Sequence, residues 1–194
     1  MALAADLASI AEMLRRVSVK ITGGGLGSGV IWRADGLIVT NAHVARGRNA
    51  WVTLDDGRAL AATLVAWEPE RDLAALAVAA GGLPAAVVGD SDTLRVGELV
   101  FAVGSPHGLG GAVTVGVIHA LDSGARSGPR RWLEANLRLA PGNSGGPLAD
   151  ARGRVVGINA MIVAGRAVAI PSNEVERFVV GVVSSRGRAG AGRA

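Results

Sequence analysis

Three short segments carry side chains that could act together in acyl transfer. Ser144 lies in Pro141-Gly142-Asn143-Ser144-Gly145-Gly146-Pro147-Leu148, His43 in Thr40-Asn41-Ala42-His43-Val44, and Asp72 in Arg71-Asp72-Leu73-Ala74-Ala75-Leu76. A serine hydroxyl is a weak nucleophile at neutral pH, so it needs a base within hydrogen-bond reach and a third group to orient that base. Histidine suits the first task and a carboxylate the second. The apolar run after Asp72 fits a buried carboxylate better than a surface ion pair with Arg71. Glycine around the serine has its own reason. A tight turn there aims the Gly142 and Ser144 amides at one point, where each donor is worth about 2.7–4 kcal/mol to a developing oxyanion. Gly145 and Gly146 leave room for an approaching backbone. A Gly-Ser-Gly turn or a histidine met singly has a structural meaning; the three segments in company have a chemical one.

These groups are far apart in the chain, so a fold must gather them. Leu3, Leu7, Ile10 and Leu14 recur at helical spacing and predict an amphipathic helix over 1–16. Beyond it, short β-branched runs alternate with turn pairs such as Asp35-Gly36 and Asp56-Gly57, which are hairpin signals. The stretch from Gly81-Gly82-Leu83-Pro84 to Asp90-Ser91-Asp92 predicts a crossover between two halves. Strand-like runs resume after it, and Ser172 or Asn173 can cap a last helix over 172–185. Many short strands bracketed by helices predict an all-β chain of two antiparallel barrels, over 17–90 and 91–171. The Gly- and Arg-rich end, 186–194, reads as a flexible basic tail.

Composition narrows the classes. With 49% hydrophobic and 19% charged residues, the 194-residue chain can bury a core and does not read as disordered. The net charge of +4 comes almost wholly from arginine, Lys20 being the one lysine, and no basic run is interleaved with aromatics. No nucleic-acid partner is expected on that pattern. The absence of cysteine excludes disulfides, thiolate metal sites and a cysteine nucleophile. His107 and His119 lack partners at ligand spacing, so neither metal nor other cofactor is expected. No run is long enough to span a membrane. Residues 1–10 lack a basic region, and Asp6, Glu12 and Arg15 interrupt the apolar stretch. The chain as written reads as cytoplasmic, with a periplasmic or exported location as the alternative if a leader has been removed.

The order His, Asp, Ser is that of the chymotrypsin type, not of subtilisins or α/β-hydrolases. The motifs then point to one family. The chain resembles the protease domain of the HtrA (Deg) serine proteases through Gly27-Ser28-Gly29-Val30-Ile31, the segment from Gly36 to Val44, and Asp72-Leu73-Ala74. The likeness continues in Gly89-Asp90-Ser91, Val96-Gly97-Glu98, Gly104-Ser105-Pro106, Val113-Thr114-Val115-Gly116-Val117-Ile118, the nucleophile loop and Ala169-Ile170-Pro171-Ser172. It implies a chymotrypsin-like double β-barrel with an N-terminal and a C-terminal helix, acting on polypeptides, unfolded or damaged ones among them. By that resemblance His43 is the base, Asp72 orients it and Ser144 attacks. Gly142, Asn143 and Ser144 then form the oxyanion loop. The S1 pocket is drawn from Arg138, Leu139, Asn159, Ala160 and Met161, and the apolar Ala160 and Met161 favour small or medium aliphatic P1 residues. The family adds a PDZ domain after the protease and forms homotrimers through N-terminal aromatics. No PDZ domain fits after residue 182, and residues 1–16 hold no aromatic.

Departures from the family pattern matter too. Arg138, Asn136 and Ala140 replace a small, an acidic and an amide residue of the nucleophile loop, which leaves its active ordering open. A guanidinium at 138 could favour acidic P1 side chains. The favoured reading is that it points outward and pairs locally, for example with Glu134, because burying an unpaired charge is costly. Asn143 cannot form the ion pair by which trypsin-like zymogens mature, so activation by N-terminal cleavage is not expected. Ser91, in Gly89-Asp90-Ser91, imitates a nucleophile signature but reads as a turn. A non-catalytic, chaperone-like polypeptide binder on the same fold is the rival reading.

Overall fold

The computed structural model describes residues 2–105, 110–122 and 131–191. Helix α1 (Ala2–Val17) leads into β1 (Ser18–Thr22), β2 (Gly27–Arg33), β3 (Leu37–Thr40), β4 (Asn49–Thr53), β5 (Ala59–Glu68) and β6 (Leu73–Val78). The second set is β7 (Leu99–Gly104), β8 (Ala112–Asp122), β9 (Trp132–Asn136), β10 (Pro147–Asp150), β11 (Val155–Val163) and β12 (Arg166–Pro171), followed by α2 (Ser172–Ala191). Each set closes into an antiparallel barrel. The strand orders, 1-2-3-6-5-4 and 7-8-9-12-11-10, are the same winding used twice.

Strands β2, β3 and β6 of the first barrel are buried along nearly their whole length, and the packing explains why. Ile31, Ile38, Ala74 and Leu76 point into the first barrel. Their alternating neighbours Val30, Leu37, Val39, Leu73 and Ala75 point the other way, into a cluster shared with Phe101, Val103, Ala149, Val155 and Ile158 of the second barrel. Both faces are therefore buried, and the barrels are fused through a common core. Leu14 of α1 and Val175, Phe178, Val179 and Val182 of α2 extend that core. A cleft between barrels joined in this way has walls that hold their relative position.

Ser91 sits in the single helical turn Ser91–Thr93 of the crossover, buried, and its hydroxyl accepts from the Asn173 amide at 3.2 Å. The closing helix differs from expectation, because it continues through 186–191 where a flexible tail was expected. Once Val175 to Val182 anchor it, each added turn needs no new nucleus, and alanine and arginine are strong helix formers. His107 lies outside the described residues, and His119 stands exposed on β8.

Candidate active site

The first barrel presents its polar groups where β3 ends and β6 begins. His43 lies three residues beyond β3, and its Nδ1 is 2.9 Å from both carboxylate oxygens of Asp72. The His43 amide donates to Asp72 Oδ1 at 3.1 Å as well. With Nδ1 carrying the proton toward the carboxylate, Nε2 is left as the acceptor that a base requires. Asp72 stands in the left-handed region (φ 54°), which aspartate tolerates better than most residues. Two bonds hold it there: its amide reaches the Pro69 carbonyl at 3.1 Å, and Asn41 Nδ2 donates to its carbonyl at 3.0 Å. The base loop is gripped further by Trp67 Nε1 on the Ala42 carbonyl (3.2 Å) and by Arg46 Nε on the His43 carbonyl (2.9 Å).

The second barrel contributes mainly backbone. The turn from Ala140 to Asn143 is closed by the Asn143 amide on the Ala140 carbonyl at 3.0 Å. Pro141 and the positive-φ Gly142 (106°) occupy its centre, the pair a type II turn favours. Asn143 N–H is thereby spent. Among the described residues no acceptor takes the amides of Gly142 or Ser144, so these two, without Asn143, are the free donors of the loop. The Asn143 side chain is buried against Gly104, with Oδ1 unpartnered, a position that would be far costlier for a carboxylate.

Gly145 (φ 86°) places the nucleophile loop against the first barrel, since a Cβ there would come within 2.0 Å of the Ser28 carbonyl and 2.3 Å of Thr40 Oγ1. Gly27 brings the two loops together: a Cβ on it would meet the Val44 methyls at 2.7 Å and the Ser144 carbonyl at 3.0 Å. Beyond the serine, the Asn159 amide donates to Gly146 and the Gly145 amide to Asn159, at 2.9 and 2.8 Å. β11 bulges at Ala160, where its register against β12 shifts, and the Ala160 carbonyl accepts the Ser144 hydroxyl at 2.9 Å. The hydroxyl thus donates to Ala160, and among the described residues no hydrogen bond joins it to the imidazole.

The residues drawn for the S1 pocket divide. Asn159 and Ala160 are buried, Leu139 packs on the second barrel's core, and Met161 is exposed. Arg138 is exposed and has no ion-pair partner among the described residues; Glu134 is paired with Arg166 (3.7 Å) instead. Leu137 and Leu139 on either side face the core, which leaves residue 138 to point away from it. Sequence reasoning gave no role to Ser28, Trp67, Arg46 or the Ala160 carbonyl. The one signal available was the pair of glycines flanking Ser28, since Gly27 and Gly29 both lack room for a Cβ.

The chain is similar to known serine proteases. The trypsin-like peptidase domain matches residues 27–158. Over 142 residues the chain is 46% identical to a probable periplasmic serine endoprotease DegP-like of Halomonas elongata, covering 71% of this chain and 29% of that protein. It is 41% identical over 156 residues to the putative serine protease HhoB of Synechocystis sp., covering 76% and 38%. With the mitochondrial serine protease HTRA2 of Drosophila pseudoobscura pseudoobscura it shares 40% over 162 residues, covering 79% and 38%. This chain therefore spans 29–38% of the length of these relatives. Among solved structures, the HtrA-type protease AlgW with a tripeptide superposes with a TM-score of 0.85 at 33% identity, covering 91% of this chain and 63% of that one. The same protease with a decapeptide gives 0.83 at 28%, covering 91% and 67%.

Proposed function

The chain belongs to the trypsin-like peptidase family, and from that premise we propose that it hydrolyses peptide bonds of polypeptides through Ser144, His43 and Asp72. The observation that carries this reading is the pairing of His43 Nδ1 with both oxygens of Asp72 on the first barrel, together with two unpaired amides on the serine turn of the second. For attack, a rotation of the Ser144 side chain about its Cα–Cβ bond has to exchange the Ala160 carbonyl for His43 Nε2, staggered positions of the oxygen lying about 2.3 Å apart. Ser144 Oγ then attacks the scissile carbonyl carbon while its proton passes to Nε2. The carbonyl oxygen becomes an anion held by the Gly142 and Ser144 amides. As the intermediate collapses, the C–N bond breaks and His43 gives that proton to the leaving amine, leaving an ester on Ser144. Water repeats the sequence: its proton goes to His43, the ester C–O bond breaks, and the proton returns to Ser144 Oγ. No step calls for a metal or another cofactor.

The HtrA-type structures with a tripeptide and a decapeptide support a polypeptide as substrate. The apolar Ala160 and Met161 support an aliphatic P1 side chain. The name of one relative, a periplasmic protease, supports the periplasmic or exported alternative for this chain; cell fractionation with an antibody to it would decide. A second reading, a non-catalytic polypeptide binder, is favoured by the bond from Ser144 to Ala160. Hydrolysis of fluorescein-labelled casein separates the two. The proposal expects turnover that Ser144→Ala abolishes, and casein bound but uncut by the wild type would select the second reading.

A further inference from the structure

Ser28, in β2 of the first barrel, bonds to the nucleophile turn twice. Its amide donates to the Ser144 carbonyl at 2.8 Å, and its hydroxyl donates to the Gly142 carbonyl at 2.7 Å. The same oxygen accepts from the Ser105 amide at 2.9 Å, and the Ser28 carbonyl accepts from Thr40 Oγ1 at 2.7 Å. Every polar group of this fully buried residue is therefore engaged at the junction of the barrels.

The consequence falls on two consecutive peptide planes. The plane between Gly142 and Asn143 is held at both poles, its carbonyl by Ser28 Oγ at 2.7 Å and, at the longer distance of 3.4 Å, by the Ser105 amide, and its amide by the Ala140 carbonyl. The next plane is held through the Asn143 carbonyl, which takes the Gly146 amide at 3.1 Å. With both fixed, the Ser144 N–H has one direction, and only rotation at Gly142 remains to aim the other donor. Glycine at 142 would otherwise turn freely. We infer that Ser28 is the positioning residue that keeps the oxyanion donors preformed, so that the turn is set by the barrel junction before substrate arrives. This rests on the hydrolytic reading of Ser144, and the test keeps the two apart.

Ser172 provides the control, because its hydroxyl makes a bond of the same kind, to the Gly89 carbonyl, equally buried and remote from the cleft. The wild-type chain, Ser28→Ala and Ser172→Ala are compared by kcat and KM on fluorescein-labelled casein and by the maximal rate of fluorophosphonate labelling. All are read at a temperature where circular dichroism shows each variant folded. Ser28→Ala is expected to lose about tenfold to a hundredfold in kcat and in maximal labelling rate, with KM within about twofold. Ser172→Ala should lower the melting temperature similarly and leave kcat within about twofold. Should Ser28→Ala not fold, Ser28→Cys, of similar shape but a weaker donor, should show a smaller loss in the same direction. An unchanged kcat in the Ser28 variant, a loss carried by KM, or an equal loss in Ser172→Ala would overturn the inference. A wild type inert to fluorophosphonate would instead remove the hydrolytic reading, and this inference with it.

Discussion

The two barrels share one winding but equip it differently. In the first, the loop after the third strand is 41–48 and carries His43; in the second, the equivalent loop is 137–146 and carries Ser144. Before the sixth strand the first barrel has Asp72 (φ 54°), whereas the second has the tight turn Ala164-Gly165, with φ of 49° and 79°. These two residues, Asp72 and Ala164, are the positive-φ non-glycines among the described residues, and they occupy the same topological place. One duplicated corner has been given a carboxylate, the other only a hairpin. The difference teaches how such a cleft divides its labour. The first barrel supplies the base and its carboxylate, held by side-chain bonds, and the second supplies, beside the Ser144 hydroxyl, amides and a carbonyl held by turn geometry. Point substitutions can delete the former outright, but they reach the latter only through what supports it.

That contrast can be broken at graded cost. The largest effect is expected from His43→Ala, which removes the base and should lower kcat on casein by about 10⁶-fold. Asp72→Asn should follow at about 10⁴-fold, since an amide there keeps the left-handed backbone but favours the wrong tautomer of the imidazole. On the backbone side, Gly145→Ala should cost about 10²-fold in kcat, as the new methyl forces the nucleophile turn off the Ser28 carbonyl by an ångström or so. If Gly145→Ala were as active as wild type, the contact that seats the turn would not matter to catalysis. Trp67→Phe keeps the ring but drops the bond to Ala42, and about 1 kcal/mol of stability with a few-fold fall in kcat is expected from thermal melts and steady-state rates.

The smallest effect lies in the joint. Asn173 Nδ2 and the Asp92 amide donate to the Asp90 carboxylate and hold its pKa below the usual value. A depressed folded pKa contributes stability that is present above the unfolded value, about 3.9, and is lost as pH falls through the folded one. Wild type should therefore melt above Asp90→Asn at neutral pH, and the gap should close as the pH drops well below 4.

How much was legible in the sequence follows from the same division. His43, Asp72 and Ser144 could be read because side-chain chemistry demands particular residue types. The barrels could be read from hairpin signals and short apolar runs. Ser28 could not, because its task is to bond carbonyls more than a hundred residues away, and any small hydroxyl in a strand reads alike. The Ala160 bulge is a register event invisible in an alanine. Asn143 was grouped with the oxyanion donors, yet the turn consumes its amide, which only the closed geometry reveals. Arg138 was paired with Glu134 by sequence proximity, but strand pairing brings Arg166 to that carboxylate.

Soaking the protein with a small fluorophosphonate and solving the adduct would probe the relay most directly. The account predicts phosphorus bonded to Ser144 Oγ, with one phosphoryl oxygen about 3 Å from the amides of Gly142 and Ser144 and the imidazole of His43 beside the bonded oxygen. An unmodified Ser144, or an adduct whose phosphoryl oxygen turns to solvent while both amides stay empty, would contradict it.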